Sequence, residues 1–123
     1  MKKFRSSDGW LFCTLKCHHK KKLSLLSLIS TGDTLNHAIF DLEEINGGLS
    51  RLENEGFVAL KNNRIFITPK GKEFHKAHRK KFELCIPEQV RYQKIFSELP
   101  MESEEKIKNF FQKSEYDEVV SKY

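Results

Sequence analysis

Residues 42–68 read LEEINGGLSRLENEGFVALKNNRIFIT, a helix pattern, a stop and a hairpin pattern in immediate succession. Leu42, Ile45, Leu49 and Leu52 recur at helical spacing and make one apolar stripe. Asp41 is placed to cap this helix, and Glu44 three residues on completes a capping box. Gly56 ends it, because glycine enters the left-handed conformation that closes a helix without steric cost. Phe57, Val58 and Leu60 then pair with Ile65, Phe66 and Ile67 around Asn62-Asn63, residues that tolerate the positive φ of a tight hairpin turn. The expected strands are 57–61 and 64–68. Thr68-Pro69 begins another helix, with Thr as cap and Pro at the first helical position, where a missing N–H costs nothing.

Upstream, Asp8 is the candidate cap of a first helix through Trp10, Leu11, Cys13 and Leu15, ending in the run His18-His19-Lys20-Lys21-Lys22, which reads as a solvated loop. Leu23 to Ile29 suits a short second helix that Thr31-Gly32-Asp33 breaks, and Leu35 to Ile39 is a turn or a further helical piece. Downstream, Phe74, Ala77, His78, Lys81, Phe82 and Cys85 share one face of a fourth helix. Pro87 divides it from a fifth carrying Val90, Ile95, Phe96 and Leu99, which Pro100 ends. Ile107, Phe110, Phe111, Val119 and Val120 suggest one or two more.

The stretches LSRLENEGFVAL, KNNRIFIT and PKGKEF resemble the end of the winged helix-turn-helix domains of prokaryotic transcription regulators, and the likeness covers roughly residues 8–75. LNHAIFDLEE is similar, more weakly, to a group of winged-helix proteins with an Asn-X-Ala-Ile stretch before the third helix. The resemblance implies a mainly α chain with a small β-hairpin: a winged helix-turn-helix, three-helix core plus two-stranded wing, with additional C-terminal helices. It places a winged-helix domain at residues 1–82 and a C-terminal helical extension, for packing or dimerisation, at 83–123. It also implies DNA binding and transcription regulation.

The chain has 123 residues, a hydrophobic fraction of 38% and a net charge of +5, which allows one compact core. No apolar stretch approaches the ~18–20 residues of a membrane span. MKKFR is followed by SSDG where a signal peptide would turn apolar. Three cysteines without a secretion signal argue against a disulfide framework and for a cytoplasmic protein.

The charge is partitioned. Residues 1–22 carry seven Lys/Arg against Asp8, and residues 61–81 carry eight against Glu73; residues 23–60 carry Arg51 against six acids. The basic blocks hold the N-terminal region and the hairpin, so a nucleic acid would be held chiefly by phosphate contacts there. Lys61 and Arg64 flank Asn62-Asn63 at the hairpin tip, where a minor groove or a phosphate backbone would accept them. The bland alternative is that the amides satisfy the turn and the cations keep edge strands soluble.

On a wheel of about 100° per residue, the third helix turns Glu43, Asn46, Gly47, Ser50, Arg51 and Asn54 away from its apolar stripe. Arg51 suits guanine, Asn54 suits adenine and Ser50 suits base or phosphate; Glu43 and Glu44 oppose them at the end that would meet the phosphates first. The candidate DNA-binding set is therefore Asn46, Gly47, Ser50, Arg51, Asn54, Lys61, Asn62, Asn63 and Arg64, with double-stranded DNA as partner. The alternative is a protein-protein interaction module that binds no DNA.

Cys13, Cys17, His18 and His19, with His75, His78 and Cys85, have some metal-ligand character, but structural zinc sites draw two pairs from separated elements. We therefore assign no metal and no cofactor. No G-x-S-x-G, phosphate loop or H-E-x-x-H is present, and Glu43 and Glu44, adjacent on a helix, point about 100° apart, so the chain does not read as an enzyme. Finally, Ile107, Phe110, Phe111, Val119, Val120 and Tyr123 carry more apolar surface than a terminal appendage needs, which points to a homodimer through this segment. Alternatively they fold back over the first helix around Trp10 and Phe12.

Overall fold

The computed structural model describes residues 3–79, 88–103 and 106–123. In chain order its elements are α1 (Ser6–Lys16), α2 (Leu25–Asn36), α3 (Leu42–Asn54), β1 (Val58–Lys61), β2 (Arg64–Ile67), α4 (Pro69–Arg79), α5 (Glu88–Glu98) and α6 (Lys113–Lys122). The chain is thus mainly helical with one small antiparallel sheet, in the register Val58 with Ile67 to Lys61 with Arg64.

Local chemistry sets the boundaries. Asp41 Oδ1 accepts from the Glu44 N–H at 2.6 Å and the Glu44 carboxylate accepts from the Asp41 N–H at 2.9 Å, the reciprocal capping box. Gly56 closes α3 with φ +80°. Asn62 and Asn63 have φ of 51° and 60°, the two left-handed residues that a two-residue hairpin matching strand twist requires. Thr68 Oγ1 accepts from the Gly71 N–H and caps α4.

Two expected boundaries move. Asp8 sits inside the first turn of α1, where its carboxylate accepts from the Arg5 N–H, so α1 starts at Ser6. Helix α2 does not break at Thr31-Gly32-Asp33. It runs to Asn36 and ends where His37 turns left-handed at φ 53°. Gly32 is kept helical by packing: a Cβ there would lie 2.3 Å from the Phe40 ring, and its carbonyl accepts from Trp10 Nε1 at 2.9 Å. Burial against two aromatic rings outweighs glycine's poor helix propensity.

The core forms around α1. Phe12 meets the rings of Phe57, Phe74, Tyr92 and Phe96 at 5.6–6.2 Å, in the tilted and edge-on geometries aromatic pairs prefer. Trp10 stacks on Phe40 at 3.6 Å. Helix α1 makes its most extensive helix contact with α5, where a Cβ on Gly9 would fall 2.2 Å from the Tyr92 carbonyl oxygen. Tyr92 and Phe96 belong to the same buried cluster as Trp10 and Phe12, so α5 is integral to the core.

On its other side α1 meets α3, and the contact is polar at its centre. Arg51 Nε and Nη2 donate to the Asp8 carboxylate at 2.7 and 2.9 Å, with the side chains 2% and 0% exposed. Gly48 makes room, since a Cβ there would lie 2.6 Å from Leu11 and 3.0 Å from Asp8 Oδ1. The C-terminal apolar residues fold back on the core: Phe111 is buried in the cluster that holds Trp10 and Phe12, its main chain is bonded by Asn46 of α3, and α6 contacts α2. Residues 106–112 are not helical. The expected contacts of Lys81, Phe82 and Cys85, and the break at Pro87, lie outside the described residues.

A buried bidentate pair with one partner removed leaves an uncompensated charge, a loss of about 3–5 kcal/mol. Asp8→Ala and Arg51→Ala are each expected to lower unfolding free energy by about that amount in urea titrations. An Asp8→Leu/Arg51→Met double variant should recover most of it, because apolar side chains of similar size need no partner.

Candidate nucleic-acid interface

The hairpin carries a third lane. The Ile65 N–H donates to the Lys21 carbonyl at 2.9 Å, the Leu23 N–H donates to the Asn63 carbonyl at 2.8 Å, and Lys22 bridges Arg64 antiparallel. Residues directly opposite in a sheet project from the same face. Lys22, Arg64 and Lys61 therefore form one cross-strand row, in the order imposed by the two pairings. All three are exposed, as are Lys20, Lys21, Asn62 and Asn63. Arg64 Nη1 donates to the Lys20 carbonyl at 3.1 Å, which aims its guanidinium along the row. Among the described residues, none of Lys20, Lys21, Lys22, Lys61 and Arg64 is in an ion pair.

Beside this row lies His19, edge-on to Phe66 at 6.1 Å. Its Nδ1 accepts from the Ile67 N–H at 2.9 Å, so the ring proton is on Nε2. Burial of the imidazole, then Lys72 and Lys20, hold its pKa below the usual value. Lys72 extends the basic surface along α4, and a cleft of about 320 Å³ opens between Lys16, His19, Ile67, Lys72 and His75.

The other half of the expected site is elsewhere and is covered. Arg51, expected to read a base, is inside the protein in its pair with Asp8. Gly47 is buried, a Cβ there lying 3.0 Å from Arg51 Nη1. Asn46, Ser50 and Asn54 do face outward along α3, but residues 106–111 run across them as a strap. Asn46 Nδ2 donates to the Phe111 carbonyl at 3.0 Å while the Phe111 N–H donates to Asn46 Oδ1 at 3.1 Å. The Lys108 N–H donates to Ser50 Oγ at 2.8 Å, and Asn54 Nδ2 donates to the Lys106 carbonyl at 3.0 Å. Asn46 and Ser50 are left only 5% and 1% exposed.

Glu55 anchors the approach to the strap. Its carboxylate accepts from the Glu102 N–H at 2.7 Å, from the Ser103 N–H at 2.9 Å and from the Ser103 hydroxyl. Burial works against its charge, but these bonds and nearby Lys70 outweigh it and hold the pKa below the usual glutamate value. Glu55 therefore contributes stability above its unfolded pKa that is lost as pH falls through the folded one.

The hairpin places Lys61, Asn62, Asn63 and Arg64 at its tip as the sequence pattern implies, and it adds Lys22, which belongs to a run that reads as a solvated loop. The available signal was its place just before α2, where one residue of extended chain suffices to pair with a hairpin edge. The metal candidates do not converge. His18 Nδ1 is 2.9 Å from the Thr14 carbonyl, Cys13 is buried with its thiol pKa pushed up by burial, and Cys17 is exposed. Among the described residues, no three His, Cys, Asp or Glu side chains group as metal ligands, and no helix is long and apolar enough to cross a membrane. Comparison of the chain with protein-family models, curated proteins and solved structures finds no match.

The His19 geometry has a pH consequence. The fold favours the neutral ring, so protonation below the unfolded value near 6.5 costs stability and must break the bond from Ile67. Wild-type stability is expected to fall between pH 7.5 and 5, and His19→Gln to flatten that part of the profile. Chemical denaturation at both pH values measures it.

Proposed function

We propose that this is a winged-helix protein that binds double-stranded DNA through its wing, by phosphate contacts and without base reading from the third helix. The order of α1, an edge lane at residues 20–23, α2, α3 and a hairpin supports the winged-helix reading. The observation that carries the function is the row Lys22, Arg64, Lys61, which has no ion-pair partner among the described residues. Like charges on neighbouring strands repel, so the row costs stability that a polyanion laid across it returns. Phe66 and His19 beside the row supply flat, partly apolar surface, and Lys72 continues the positive charge. The side chains able to contact DNA are Lys22, Lys61, Asn62, Asn63 and Arg64, with Lys20 and Lys21 beside them.

Backbone contacts of this kind give affinity without sequence information. The covered outward face of α3 fits that expectation, since Asn46, Ser50 and Asn54 already have main-chain partners and Arg51 is spent inside. The same coverage favours a second reading, a winged-helix interaction module that binds protein and no DNA. Retention on DNA that weakens with salt separates the two.

Each phosphate contact contributes about 0.9 to the slope of log affinity against log salt. Lys61→Ala/Arg64→Ala is expected to flatten that slope by about 1.8, and adding Lys22→Ala by about 0.9 more. Fluorescence anisotropy with a short duplex at several salt concentrations measures it. An unchanged slope removes the wing from the interface. Affinities equal within a few-fold for duplexes of unrelated sequence are expected as well.

A further inference from the structure

The strap across α3 is bound by its main chain. Asn46, Ser50 and Asn54 are spaced four residues apart on one helix face, about 6 Å per step at 1.5 Å per residue. Their partners Phe111, Lys108 and Lys106 are three and two residues apart on a chain running the opposite way, and two residues of extended chain advance about 6.6 Å. The Ser50–Asn54 step therefore matches two residues of extended chain, and the Asn46–Ser50 step takes up three because the chain bends at residues 110 and 111. Both groups of the Asn46 amide are used on one residue, the N–H and C=O of Phe111. Side chains contribute as well: Phe111 enters the core at 8% exposure, Phe110 packs half-buried against it, and Lys108 Nζ lies 3.0 Å from Glu53. Lys106, Ile107 and Asn109 are exposed, Ile107 and Asn109 lining a cleft beside the start of α3.

The rest of the C-terminal unit lies on the surface of the core. No residue of α6 is fully buried, but Tyr116, Val119 and Val120 pack half-buried against the core, the Tyr116 hydroxyl donates to the Phe40 carbonyl, and beyond the helix the Tyr123 hydroxyl donates to Asp33, each bond at 2.6 Å. A cleft of about 480 Å³ separates the start of α3 from the strap, between Leu42, Glu43, Ile107 and Tyr116. The strap is thus a ligand of α3 as much as a part of the core.

We infer that the outward face of α3 is a docking site for an extended polypeptide, filled in cis by residues 106–111, and that its trans ligand is the same segment of a second copy. The recognised chemistry is an extended main chain with a cation opposite Glu53 and an aromatic side chain three residues later to fill the Phe111 pocket. The strap meets these conditions in cis through Lys108 and Phe111, and the identical strap of a second copy meets them on an emptied face. This reading does not depend on DNA binding by the wing.

The test uses the full chain as acceptor and a labelled synthetic peptide of residues 106–123 as probe. Lys108→Pro/Phe111→Ala in the acceptor removes the N–H that reaches Ser50 and the aromatic anchor, and leaves α3 intact. In the wild type the cis strap competes at an effective concentration on the order of millimolar. The peptide is expected to bind the double variant at least tenfold more tightly than the wild type. Adding Asn46→Ala to the acceptor, or Lys108→Pro to the peptide, should abolish that binding. Should the double variant lose its helical circular dichroism, Lys108→Pro alone serves as the acceptor. No binding to an acceptor that remains folded, equal binding to variant and wild type, or binding indifferent to Asn46→Ala would each overturn the inference.

Discussion

The Asp8–Arg51 pair is the constraint around which the helices are arranged. A guanidinium taken out of water needs a carboxylate in matched bidentate geometry, and Asp8 supplies it at 2.7 and 2.9 Å. Meeting those distances forces α1 and α3 into close approach, which Gly48 permits. With α1 fixed on that side, its opposite face meets α5 through Gly9, and Phe12 is left at the centre of the aromatic cluster. The pair also limits what α3 offers at the surface. It withdraws from the surface the one side chain of α3 best suited to a guanine, and leaves a face of two amides and a hydroxyl.

That polar face and the hairpin divide the molecule's outward chemistry between them. The face of α3 is neutral at its centre and is satisfied by peptide groups. The hairpin face is cationic and, among the described residues, without ion-pair partners, and its charge is gathered from two basic blocks that lie about 40 residues apart in the sequence. Hydrogen-bonding amides spaced along a helix suit main chain; unpaired cations spaced across strands suit phosphate. The two surfaces therefore call for different partners and need not act together.

Local signals carried the parts of the fold that depend on local chemistry. The Asp41–Glu44 box, the Gly56 stop, the Asn62-Asn63 turn and the Thr68-Pro69 start are decided within a few residues, and all stand as the sequence implied. What was not legible depended on distant partners. Thr31-Gly32-Asp33 reads as a break until Phe40 and Trp10 close over Gly32. Arg51 reads as a surface residue until Asp8 is placed opposite it, because helical periodicity assigns a side chain to a face without saying what covers that face. Ile107, Phe110 and Phe111 read as helix until Asn46, Ser50 and Asn54 on α3 supply partners for an extended main chain. In the candidate site the hairpin tip was visible, and Lys22 was not, since its place in the row rests on a pairing across 42 positions.

The central claim is that nucleic acid meets the hairpin face and leaves α3 covered. Mapping backbone amide shifts of the labelled full chain on addition of a short mixed-sequence duplex addresses it directly. With DNA on the hairpin face, the largest changes fall at Lys21, Lys22 and residues 61–66, with Asn46, Ser50 and Asn54 unmoved. The largest changes along α3, with loss of the strap's hydrogen-bonded amides at Lys108 and Phe111, would contradict it.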